Sequence, residues 1–143
     1  MIHTLKTPQF LHPLVNQRLF RYAIALGWTI TLMVALLQSS SQPVVGPAAP
    51  PGDPDPLREV MLTAGHIIGF AGLTFVWWWA FVFTLPSRRA LIISVLIALT
   101  LGIVTEFLQT ALADRNASLY DFAVNWLTTF IVAGLIHRLQ NTP

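Results

Sequence analysis

Four long apolar runs punctuate the chain, at residues 20–37, 60–85, 90–112 and 121–136. About 20 mostly apolar residues suffice for a helix to cross the hydrocarbon core of a bilayer. The runs are rich in Leu, Ile, Val, Phe and Ala and show no strict alternation, which predicts helices rather than barrel strands. The first and fourth are short and predict spans with little tilt. The second covers about 26 residues, or about 39 Å as a helix. It must tilt, kink or protrude; a re-entrant entry near Gly65 is the lesser alternative. All connectors but one are short, so successive helices are expected to be antiparallel neighbours. The expected fold is all-α, an integral membrane four-helix bundle without a soluble domain or internal repeat.

Composition agrees. Of the 143 residues, 55% are hydrophobic and 10% charged, where a soluble domain carries roughly 25% charged residues. Mean hydropathy is +0.65. These values exclude disorder, collagen-like chains and most soluble enzymes of this length. The absence of cysteine removes disulfide scaffolds, thiolate nucleophiles, zinc–thiolate sites and iron–sulfur clusters. A net charge of +2, without a large basic cluster, argues against a nucleic-acid partner.

Charge placement predicts orientation through the excess of Lys and Arg on the cytoplasmic side. Lys6, Arg18 and Arg21 precede the first run, Arg88 and Arg89 separate the second and third, and Arg138 follows the fourth. Arg58 and Arg115 fall on the opposite side, with Asp53, Asp55, Glu59, Glu106, Asp114 and Asp121. Both termini are therefore expected inside (N-in/C-in). Residues 1–19 would be a cytoplasmic segment and 20–143 the transmembrane domain. A signal peptide fits the first run less well. Its leader is long, and Leu36-Leu37-Gln38 offers no small-x-small cleavage site.

The long connector reads SSSQPVVGPAAPPGDPDP over residues 39–56. Proline favours extended polyproline II there. A solvated outer spacer is the simpler reading, a lid or docking strap the other. Trp77, Trp78 and Trp79 point about 100° apart on a helix. They fit an interfacial aromatic belt rather than one aromatic pocket.

Polar groups inside spans are costly and mark candidate sites. At about 1.5 Å per residue, His66 and Glu106 each lie about 9 Å below the outer interface, with Gln109 a turn shallower. Asn125 lies about 6 Å in from Asp121. Four groups from three helices thus share one depth. Glu106 and Gln109 share a face at i,i+3, as do Asp121 and Asn125 at i,i+4. Gly102, at i−4 from Glu106, leaves room for another backbone on that face. Asp121 starts its helix and suits the free N–H groups and the dipole there. The expected partners of Glu106 are His66 and Arg115. Gly65, Gly69 and Gly72 share a face and predict close helix packing.

The run EFLQTALADRNASLYDFAVN, Glu106 to Asn125, resembles the VanZ-like membrane protein family. That family shows a Glu-x-x-Gln helix end, an arginine in the turn, then Asp and Asn four apart opening the last helix. A histidine stands early in its preceding hairpin, where His66-Ile-Ile-Gly-Phe70 stands here. The likeness covers residues 59–134. Thr63 stands where members often carry Lys or another polar residue, and Thr128 and Val132 where glycines are expected. The resemblance implies a bacterial envelope protein of the inner membrane, in a family named for a link to glycopeptide resistance. It implies no reaction.

The candidate ligand-binding cluster is His66, Glu106, Gln109, Arg115, Ser118, Asp121 and Asn125. No catalytic residue, metal or cofactor is assigned. Three readings follow. The first is a binder of a membrane lipid, lipid-linked cell-wall precursor or glycopeptide headgroup at the outer leaflet, with Arg115 meeting an anionic group. The second is a small accessory subunit of a larger membrane complex, or a homo-oligomer, in which the cluster only locks helices. The third is an enzyme using His66 and Glu106 as an acid–base pair, and it ranks last because no nucleophile has a recognised context.

Overall fold

The computed structural model describes residues 11–38, 56–111 and 118–141. The greater part of the proline-rich connector lies outside them, as does Arg115. The described residues form four helices and no strand: α1 (Leu11–Leu37), α2 (Pro56–Phe81), α3 (Ser87–Gln109) and α4 (Leu119–Asn141). All four contain a segment long and apolar enough to cross a membrane.

The helix boundaries depart from the apolar runs for local reasons. α1 begins nine residues early because the bilayer limits the apolar part of a helix and not the helix itself. Pro56 takes the first position of α2, where a missing N–H costs nothing. α2 ends at Phe81 rather than near residue 85. Pro86 disfavours helical backbone just before it, and Val82–Leu85 close as turns, with the N–H groups of Thr84 and Leu85 both given to the Phe81 carbonyl. α3 ends at Gln109; Thr110 and Ala111 then donate to Phe107 and Leu108 in i→i−3 bonds. α4 runs five residues past its apolar stretch, where the Asn141 amide donates to the His137 carbonyl at 2.9 Å.

The helices alternate in direction. Arg21, early in α1, donates to the carbonyl of Trp79, late in α2. Gln109, ending α3, donates to the carbonyl of Leu36, ending α1. His66 and Asn125, both early in their helices, are bonded to each other. The starts of α1 and α3 therefore share one end of the bundle with the finishes of α2 and α4. That end carries Arg18, Arg21, Arg88, Arg89 and Arg138 and is called the arginine end below.

α2 is central. It packs on α1, α3 and α4; α3 also packs on α4 and more lightly on α1, and among the described residues α1 does not touch α4. The α1–α2 seam is apolar and tight. Trp28 lies over Gly72 and gives its indole N–H to the Gly69 carbonyl at 3.0 Å. A Cβ at Gly72 would collide with the Trp28 ring, and one at Gly69 with Leu32. Gly65, the third glycine of that face, meets nothing. Leu32 and Leu36 join Phe70, Leu73 and Ala98 in the buried core, with Trp77 and Leu101 against it.

The interior facing α4 is different. α3 presents Ala90, Ser94, Ala98, Gly102, Thr105, Glu106 and Gln109 as its buried positions. The first four recur every fourth residue, a small-residue ridge that permits close approach. Gly102 receives side chains rather than backbone: the Phe70 ring would lie 3.4 Å from a Cβ there and Asn125 Cβ 3.8 Å. α4 answers with buried Asn125, Thr128 and Thr129. Thr74, Thr105 and Thr129 return their hydroxyls to carbonyls four residues back, satisfying themselves within their own helices.

Candidate functional site

The polar junction is built on the start of α4. Ser118 precedes the helix, and its Oγ accepts the N–H of Asp121 at 3.3 Å. This is the N-cap geometry expected of Ser-x-x-Asp before an apolar run. In a capping box the acid at the third helical position reaches back to the N–H of the cap. Here that N–H goes elsewhere, to Oε2 of Glu106 on α3 at 3.0 Å. The Asp121 carboxylate is thereby left to face α2.

There it meets His66. His66 Nε2 stands 3.9 Å from Asp121 Oδ2, with the histidine side chain 4% and the aspartate side chain 29% exposed. At that separation the contact is Coulombic rather than a hydrogen bond. The other ring nitrogen, Nδ1, lies 2.9 Å from Oδ1 of Asn125. The imidazole thus sits between a half-buried carboxylate and a buried amide, both on one face of α4. Asn125 is fully buried, and its Nδ2 has no hydrogen-bond partner. An unsatisfied buried donor costs about 1–3 kcal/mol. With a neutral ring protonated on Nε2, toward Asp121, the amide would turn its NH₂ to Nδ1. With a proton on Nδ1, the amide keeps Oδ1 toward the ring and Nδ2 stays open. The open hydrogen-bonding valence of Asn125 therefore follows the proton on His66.

Glu106 is buried and its Oε2 accepts the Ser118 N–H, while the His66 ring turns to Asn125 and Asp121. Gln109 is buried too and does not reach His66. Its Nε2 donates to the Leu36 carbonyl at 2.9 Å, filling one of the carbonyls that a helix C-terminus leaves open. The junction therefore joins His66, Asn125 and Asp121 directly, attaches Glu106 through Ser118, and assigns Gln109 to the finish of α1. Depth in the membrane does not predict that last link. Its available signal was an α1 ending on Leu36-Leu37, with apolar side chains that cannot cap it.

No group of three or more His, Asp or Glu side chains among the described residues is placed to hold a metal ion. On α4 the Phe122, Trp126 and Phe130 rings form a continuous ladder beside the junction, with centroids 4.6 and 6.3 Å apart. An open apolar groove of about 350 Å³ runs along α3 past Ile93, Ile97, Thr100 and Val104.

Fold and site together define a small multi-pass helical membrane protein with a buried polar junction at one end. Comparison with protein-family models, with curated proteins and with solved structures finds no match for this chain.

Proposed function

We propose that this chain is a VanZ-like protein of the bacterial cytoplasmic membrane, N-in/C-in, that binds an amphipathic envelope molecule at the outer leaflet. The ligand class is a membrane lipid, a lipid-linked cell-wall precursor or a glycopeptide, each with a polar head and a long apolar part. The observation carrying this reading is Asn125. It is a fully buried amide with an unpartnered donor, coupled through His66 to the half-exposed Asp121. A buried donor in a native structure calls for a partner, and Asp121 marks the side from which one would enter. The aromatic ladder of α4 and the groove on α3 offer apolar surface for the rest of such a molecule. Arg115, outside the described residues, is assigned to an anionic headgroup on its place in the sequence.

The test is native mass spectrometry of the protein extracted from its own membranes in mild detergent. One retained amphipathic molecule per chain, lost in Asp121→Asn and Arg115→Ala, supports the reading. A stoichiometric protein partner with no retained molecule replaces it with the accessory-subunit reading. Consumption of the retained molecule that stops in His66→Ala replaces it with an enzyme.

A further inference from the structure

At the arginine end, the start of α1 is fastened to the α2–α3 turn. The Arg21 guanidinium lies 4.3 Å from the Trp79 ring centroid and 3.4 Å from that of Phe83. It also donates to the Trp79 carbonyl at 3.2 Å. One residue on, the Tyr22 and Thr84 hydroxyls are 3.0 Å apart. These contacts hold a cation rigidly beside the segment that leads into Arg88 and Arg89.

Arg138, in the last turn of α4, suits the helix dipole, but the other four arginines at this end stand where helix physics disfavours them. Arg18 and Arg21 are three apart on one helix, a spacing at which like charges repel. Arg88 and Arg89 occupy the first turn of α3, where the positive end of the helix dipole favours acids. That turn has no acid, and Pro86 before it makes no side-chain cap. The two helices that begin at the opposite end obey the rule, with Glu59 in the first turn of α2 and Asp121 in that of α4. No Asp or Glu among the described residues lies at the arginine end. Arg18, Arg88 and Arg89 are exposed, so an anion from outside the chain can reach them. The nearby Trp79 and Phe83 rings suit the headgroup level of a bilayer.

We infer that this end holds the phosphate of an anionic phospholipid between Arg18 and Arg21 of α1 and Arg88 and Arg89 of α3. The site is separate from the junction at His66 and needs no ligand there. Each interfacial arginine should raise the preference for an anionic over a zwitterionic headgroup about fivefold.

The test titrates the full chain in detergent with phosphatidylglycerol or phosphatidylcholine and reads bound lipid by native mass spectrometry. Wild type, with four such arginines, is expected to prefer phosphatidylglycerol about 600-fold. Arg88→Gln with Arg89→Gln should lower that preference about 25-fold, and Arg88→Lys with Arg89→Lys should retain it. Gly65→Ala, at the far end of α2 and with nothing within 4 Å of the added Cβ, should leave it unchanged. Equal binding of the two lipids by wild type overturns the inference without need of any variant. So does a preference that the glutamine substitutions leave undiminished, or displacement of bound phosphatidylglycerol by equimolar inorganic phosphate.

Discussion

α2 has two seams, and they are made differently. Against α1 it offers Gly69 and Gly72 to Trp28 and Leu32, a fit by shape closed by one indole hydrogen bond. Against α4 it offers His66 to Asn125 and Asp121, a fit by polarity that leaves an amide donor open. Packing by small residues is how membrane helices commonly associate, because lipid supplies no hydrophobic drive between them. The first seam is explained by assembly alone. The second contains more polar machinery than assembly requires, and one valence of it is unspent. It is to the second seam that the proposal assigns a ligand.

The comparison breaks most severely at Gly72. Gly72→Leu drives a side chain into the Trp28 ring, an overpacking that costs about 1–3 kcal/mol. It should loosen α1 from α2 while the α2–α4 junction persists, as read by a drop in thermal midpoint and faster proteolysis in the 39–55 connector. The junction should respond less in stability and more in binding. His66→Leu removes a hydrogen bond worth about 1–2 kcal/mol at most between membrane helices, and it should abolish retention of the ligand. Ser118→Ala removes the cap of α4 at about 1 kcal/mol. Hydrogen exchange should then quicken in the first turn of α4 alone, since the Ser118 N–H still reaches Glu106. The smallest effect is expected at Gly65, where a Cβ meets nothing. Gly65→Ala should be neutral or stabilising by about 0.5–1 kcal/mol, in contrast to Gly72 on the same helix.

The existence and type of the four helices were legible because a bilayer demands length and apolarity that a sequence states openly. Their ends were less so. Phe81 closes α2 because of a proline five residues on, and α4 opens on a Ser-x-x-Asp cap that the apolar run does not include. Depth brought His66, Glu106, Gln109 and Asn125 to one level, but depth says nothing of how each helix is turned about its axis. Rotation decides that His66 meets Asn125, that Glu106 takes the Ser118 N–H and that Gln109 serves α1. The glycine face was visible as a spacing of small residues. Which of its members touch a neighbour depended on where Trp28 and Leu32 fall, and Gly65 falls beyond them.

The central claim is that the polar junction exists to bind rather than to hold α4 in place. Asn125→Leu tests it most directly, because leucine matches asparagine in branching and number of heavy atoms and removes the open amide outright. Thermal stability and retained ligand are measured on the same detergent-extracted sample. The account predicts a midpoint within a few degrees of wild type and loss of the retained molecule. A variant that keeps the molecule, or loses it only in proportion to a collapse in stability, would contradict the account and return the junction to a structural role.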